Sequence, residues 1–533
     1  MRSHAARGLL YRAMLFALAV PALVLLAPRT ASSQQLAPIV YMVSAPEPAT
    51  HIAHVVATVP TARRDSVEMM MAVWSPGFYR EERYASRLRD FTARAPDGTP
   101  LRVEQPTSNR WRIFTGGRPS VVVSYQLACQ ERSVTTNWVD DTLAVLNGAP
   151  TFVTLVENAH RPHEVRLQLA GLWKQSMTSL EPAPDGIPNH YRARDYDELV
   201  DSPIVAGDLA VHEFEVGGSR HFLVNAGNAG QWDGAKAARD LQTIIEQHRR
   251  FWGTLPYKRY VFLNLFRRGG GGLEHLNSTL LTANATRVAS PRGYLGWLEF
   301  VSHEYFHAMN VKRLRPVELG PFDYEHPPNT SSLWISEGLT SYFGELMVAR
   351  SGLATSDDAL ATLSAHIAHV QNAPGRLVQT LEQSSLEVWS GGTSGIGRDS
   401  TTTISYYEKG PVVGFLLDAR IRRVTGDRRS LDDVMRLAYR RYAGVRGFTA
   451  AEFQKAAEEV AGVSLAAFFH QSLATTDELD YAEALDWFGL RFAPGDDAAR
   501  KWALEVRPDA TDNQREHLRA LMVAASDTAR RSK

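Results

Sequence analysis

Residues 303–307 read His-Glu-Tyr-Phe-His. Histidines four apart lie one turn from each other on the same helix face, so both imidazoles can grip one metal ion. The glutamate between them then reaches a water held beside that ion. His303 and His307 as zinc ligands, with Glu304 as general base, suit hydrolysis of a peptide bond by activated water. Leu295, Leu298, Val301, Tyr305 and Phe306 supply apolar positions at roughly helical spacing. The helix is thus expected to be largely buried, and buried imidazoles and carboxylates need partners, which a metal provides together.

A catalytic zinc usually takes three protein ligands and leaves a position for water. Six residues after His307, where another class of zinc peptidase carries a histidine, the chain has Arg313. Glu318, Asp323, Glu325 and His326 sit in a proline-rich stretch that reads as a loop. Glu337, in Trp334-Ile335-Ser336-Glu337-Gly338-Leu339, opens a helix with a buried apolar face and is the better third ligand, because a rigid element presents a ligand more reproducibly. The expected cofactor is one zinc ion, for which cobalt or manganese could substitute in vitro. Attack on a peptide bond creates an oxyanion. A tyrosine at the entrance of the long apolar helix after Tyr406-Tyr407-Glu408-Lys409-Gly410 could hydrogen-bond it.

The order of these motifs resembles the thermolysin-like zinc peptidases with a glutamate third ligand, the gluzincins. The similarity is greatest to the glycyl aminopeptidase family. It rests on Gly-Gly-Leu-Glu-His at 271–275, on His-Glu-Tyr-Phe-His followed by Asn310-Val311-Lys312-Arg313-Leu314-Arg315-Pro316, and on Asp195 to Pro203. It covers about residues 37–492. The resemblance implies an aminopeptidase acting on small N-terminal residues. It assigns Tyr407 to the transition state and leaves Tyr406 to packing. It gives Glu274 the binding of a substrate's free α-amine, which would fix cleavage one residue in. Gly271 and Gly272 would let backbone approach substrate closely, and the strand 278–283 could pair with an extended peptide. His275, His366 and His369 receive no role.

Two departures stand out. Between His307 and Glu337 lie 29 residues, and the excess, the proline-rich 316–330, is expected to form a loop at the cleft. Only 41 residues follow Phe492, too few for the PDZ domain that many family members carry, so a PDZ-lacking member is expected.

The elements around these residues read as an α+β multidomain chain. Residues 1–33 resemble a secretory signal: Arg2, Arg7 and Arg12 precede an apolar run from Ala13 to Ala27, with small residues to Ser33. A periplasmic or secreted location follows, an uncleaved membrane anchor being the alternative. Residues 34–219 read as an N-terminal β-sandwich of short alternating strands, such as Val121 to Leu127. Residues 220–475 read as a thermolysin-like catalytic domain with a mostly helical second half, and 476–533 as a tail with a short strand near Trp502 and a final helix. A formal net charge of zero argues against a nucleic-acid partner. Peptides are the expected partners. The lone Cys129, at a strand end, reads as a buried structural thiol. The competing readings are a zinc endopeptidase and a non-catalytic peptide-binding protein.

Overall fold

The computed structural model describes residues 36–157, 160–391, 400–494 and 500–522. The expected signal at 1–33 lies outside them. No helix among the described residues is long and apolar enough to cross a membrane. Residues from Ala37 onward form one compact unit.

Its first part is built of sheets. Ile39–Ser44, Ile52–Pro60 and Ser120–Ala128 lie side by side in a seven-stranded sheet. Each alternates buried and less buried residues, as a strand with one face on a core must. Val121, Val123, Tyr125 and Leu127 point inward with Tyr41 and Val55, against Met69, Trp111 and Ile113 of a four-stranded sheet. These two layers share a core as a sandwich does. A further four-stranded sheet, made of Trp138–Val139, Leu143–Leu146, Gln175–Met177 and Ile204–Gly207, belongs to the same part of the chain. Cys129 is buried there, its thiol pushed up to about 12 by burial.

The second part is organised on a five-stranded sheet. Its spatial order is Ala210–Val216, Ser219–Gly227, Arg259–Phe266, Ser278–Ala283 and Gly271–Glu274. Because Ala210–Val216 pairs with Ser219–Gly227, the change of sheet falls near residue 208 rather than at 219. The helix Gly234–Trp252 makes the crossover between two parallel strands; Asp233 caps its start and Gly253, at φ 76°, its end. Along Arg259–Phe266 the residues alternate between two cores. Tyr260, Phe262 and Phe266 face the helices, while Val261, Leu263 and Leu265 face Val145 and Val205 of the small four-stranded sheet. A strand buried on both faces is accordingly apolar on both, and its one buried polar side chain past Arg259 and Tyr260, Asn264, is satisfied by donating to Asn225 Oδ1 at 2.8 Å.

Two expectations change here. Ser278–Ala283 lies inside the sheet, with both edges paired, so it cannot receive a peptide strand. The edge strand at this end of the sheet is Gly271–Glu274. The 316–330 stretch does not line the cleft. It fastens the first part of the chain to the second: Arg110 binds Glu325 in a two-pronged contact, Asn109 also donates to Glu325, Trp74 Nε1 donates to the Asp323 carbonyl, and Tyr324 donates to Asp197.

Candidate metal centre and its cleft

The helix Pro291–Phe306 starts where Ser290 accepts a hydrogen bond from the Gly293 amide, with proline at the first helical position. Trp297, Leu298, Val301, Tyr305 and Phe306 bury one face. His303 and Glu304 occupy the last turn, and His307 caps the end. Gly344 of the helix Leu339–Arg350 lies across it. A Cβ on Gly344 would come within 2.7 Å of the His303 Cα, so only glycine permits the two helices this approach.

Glu337 sits in Trp334–Gly338, a wide π-helical turn before Leu339–Arg350. Such turns concentrate at functional sites because they redirect a side chain within a helix. Asn310 holds the turn, donating from its amide to the Ile335 carbonyl at 2.8 Å. The glycine after Glu337 meets the glycine of the Tyr-Glu-Lys-Gly motif: a Cβ on Gly338 would lie 2.6 Å from the Gly410 Cα. This contact packs the helix Tyr406–Thr425 against the Glu337 turn and puts Tyr407 beside the His303 ring, 6.3 Å away between centroids.

The three expected ligands converge. His303 Nε2 and His307 Nε2 are 3.1 Å apart, and Glu337 Oε2 lies 3.8 Å and 3.2 Å from them. Neighbours fix the tautomers. The Asn310 carbonyl can only accept, so His307 Nδ1 carries a proton toward it. Ser341 Oγ donates to the Glu337 carbonyl and therefore accepts from His303 Nδ1. When neutral, both rings thus turn a lone pair inward beside a carboxylate oxygen. Three acceptors with no hydrogen between them repel one another unless a cation sits among them, so the residues fit a zinc ion in ligand type, number and outer support. His303, His307 and Glu337 form the one such cluster among the described residues. The electrostatics agree. Burial opposes charge on His307, yet Glu337, Glu274 and Glu304 lift its pKa to about 9. Burial and the neighbouring His307 depress His303. In the absence of a metal, a proton on His307 answers the same negative field.

Two further carboxylates face this centre in a cleft of about 860 Å³. Glu304 is 5% exposed and Glu274 3%, and Glu304 Oε2 and Glu274 Oε1 have no hydrogen-bond partner. Burial raises both pKa values, Glu304 well above the carboxylate range, while His307 and Lys312 pull them back. Glycines allow both placements. A Cβ on Gly272 would overlap the Glu304 carboxylate, and one on Gly77 would overlap that of Glu274. Gly77 and Gly271 also adopt φ of 97° and 133°, which side chains rarely tolerate. Burial, then Glu337, keeps the Tyr407 hydroxyl protonated far beyond neutral pH.

Other residues acquire partners that spacing did not indicate. His275 Nδ1 and Lys312 Nζ meet Asp201 at 3.2 Å and 2.7 Å. Three separated motifs therefore share one buried charge cluster. Against the penalty of burial, Lys312 and His275 bring Asp201 down to about 2. His366 lines the cleft and bridges Glu408 and Glu345 at 2.6 Å and 2.8 Å, which raise it to about 10 despite burial. It thus joins two other helices, whereas His369, also at the cleft, is exposed and only approaches Glu408, at 3.5 Å. Gly77, Phe78 and Arg132 to Val134, from the sheet-rich first part, also line the cleft. Tyr79 donates to Glu337 Oε1 at 3.1 Å. None of these carried a recognisable motif.

Residues 40–208 match the family model of the peptidase M61 N-terminal domain, and residues 296–413 that of the M61 glycyl aminopeptidase. The chain is similar to a solved aminopeptidase N family protein from Idiomarina loihiensis, with a TM-score of 0.80 and 27% identity over 85% of this chain and 78% of that one. An M1 zinc metallopeptidase from Deinococcus radiodurans, solved with a Tyr-Ser-Ala substrate, gives a TM-score of 0.51 and 14% identity over 84% and 95% of the two chains. At that identity the likeness is one of fold. No curated protein sequence matches the chain.

Proposed function

Because the chain belongs to the M61 glycyl aminopeptidase family and is a peptidase, we propose that it is an exported zinc aminopeptidase that removes small residues from the free N-termini of peptides. The observation that carries this reading is the buried Glu274 carboxylate, with an unpartnered oxygen, in the same cleft as the His303–His307–Glu337 cluster. Those three residues would hold one zinc ion. Zinc, when bound there, acidifies water and polarises a carbonyl.

The chain's own groups divide the remaining work. Glu274 accepts the substrate ammonium, and a charged hydrogen bond in a buried place is strong. The edge strand Gly271–Glu274 offers backbone groups to the peptide, and Gly271 and Gly272 keep that approach clear of side chains. Glu304 takes a proton from the attacking water and later gives it to the leaving nitrogen. A carboxylate lifted above its ordinary range suits both steps. Tyr407, held as a neutral donor, hydrogen-bonds the oxygen on which charge develops. The export proposal rests on the arginine-flanked apolar run of residues 1–33. The catalytic unit is taken as the segment from the change of sheet near 208 to about 475.

A peptide-library digest with and without chelator, read by mass spectrometry, tests the whole reading. Loss of single N-terminal Gly or Ala residues, abolished by chelator and restored by zinc, is expected. Cleavage that persists without metal would sink it.

A further inference from the structure

The Glu337 carboxylate is held from two directions. Oε2 faces the two imidazoles, and Oε1 accepts the Tyr79 hydroxyl at 3.1 Å. Tyr79 comes 258 residues earlier in the chain, just beyond the strand Ser66–Met70 of the first part. It is 2% exposed and packs edge-on against Trp389, with ring centroids 6.2 Å apart. Trp389 is itself fastened, donating from Nε1 to the Pro328 carbonyl and meeting Trp74 edge-on at 5.6 Å. The hydroxyl is therefore not free to follow a wandering carboxylate.

A metal ligand that uses one carboxylate oxygen leaves the other to be satisfied, and in a dry site an unsatisfied oxygen is costly. A fixed donor on the second oxygen also stops the carboxylate from turning, which keeps the first oxygen aimed at the metal. We propose that Tyr79 is a positioning residue of the metal centre. Through it the sheet-rich N-terminal part contributes to zinc affinity, so docking of that part and retention of the metal are coupled. This inference rests on the metal-site reading of His303, His307 and Glu337.

Tyr79→Phe keeps the ring against Trp389 and removes only the hydroxyl. Zinc affinity is measured on the full chain by competition with a chromogenic chelator, and thermal unfolding is followed with zinc and with excess chelator. The expected result is a zinc Kd weaker by ~10–100-fold, a smaller rise in Tm on adding zinc, and an unchanged Tm in chelator. A Kd equal to that of the parent would overturn the proposal. Ile113→Val, in the sandwich core away from the cleft, supplies the packing control: it is expected to lower Tm while leaving the Kd unchanged. If it weakens zinc as much as Tyr79→Phe does, the effect is general loosening and the positioning role fails. Glu337→Ala separates the two readings. Parent-like zinc affinity in that variant would overturn the metal site itself. Lost affinity there, with parent-like affinity in Tyr79→Phe, would overturn only the role of Tyr79.

Discussion

The two walls of the cleft are made differently. The helical wall carries His303, Glu304, His307, Glu337 and Tyr407 on three helices locked by glycine contacts at Gly344 and between Gly338 and Gly410. The sheet wall carries Gly77, Phe78, Arg132 to Val134 and the edge strand Gly271–Glu274. The first gathers the groups proposed to bind a metal and move protons. The second carries glycines at Gly77, Gly271 and Gly272 and one buried carboxylate, Glu274, and in the proposed function it receives a chain end. The contrast separates chemistry from selection: changes on the helical wall should act on kcat, and changes on the sheet wall on which substrates bind.

The helical wall should show the largest effects. Glu304→Gln keeps the size of the side chain and removes the base. It is expected to lower kcat by ~10²–10⁴-fold with zinc content by elemental analysis unchanged; undiminished hydrolysis with metal bound would break the assignment. Tyr407→Phe should lower kcat by ~10²–10³-fold with little change in KM, measured on a peptide with a free N-terminal glycine. On the sheet wall, Glu274→Gln should reduce kcat/KM for free-amine peptides by ~30-fold, as loss of one partner of a buried charge pair costs about 2 kcal/mol or more. Gly77→Ala should raise KM for free-amine substrates while kcat stays near the parent value, because its Cβ crowds Glu274. It should also cost about 1–3 kcal/mol in denaturant unfolding through strain at positive φ.

The smallest effect concerns the joint between the walls. Asp201 in the folded chain has a pKa of about 2, below its ordinary 3.8. A depressed carboxylate stabilises the fold above its unfolded pKa and loses that contribution as pH falls toward the folded one. Stability should therefore drop by about 2 kcal/mol from this group between roughly pH 4 and pH 2. Asp201→Asn should flatten that part of the acid-unfolding curve; an unaltered acid limb would show that Lys312 and His275 do not depend on it.

The same contrast explains what could be read in advance. His303, Glu304 and His307 sit within one helical turn, so their spacing alone encodes their geometry. Glu337 was legible because a metal gripped by two histidines still needs a third ligand, and a helix presents one more rigidly than the loop carboxylates of 316–330. Tyr407 and Glu274 needed family resemblance, since a tyrosine before an apolar helix and a carboxylate after glycines are common. The reason for Gly410 emerges only when it is seen against Gly338. Tyr79 lies 258 residues from Glu337 and looks like any core tyrosine beside Phe78. His275 finds its partner 74 residues back at Asp201. The 316–330 stretch misled for a similar reason: Asp323 and Glu325 look like exposed loop residues, and their partners Trp74, Asn109 and Arg110 belong to the distant sheet part. Strand alternation revealed the sheets. It did not reveal that Ser278–Ala283 is inside its sheet, because a short apolar run reads as a strand without saying which strands lie on either side of it.

The central claim is that Glu274 turns a zinc peptidase toward chain ends. The direct measurement is hydrolysis of one Gly-Ala peptide with a free amine and of its N-acetylated twin, with cleavage sites read by mass spectrometry. The account predicts release of the first residue from the free-amine peptide and no comparable cleavage of the acetylated one. Equal rates on both would contradict it and make the protein an endopeptidase.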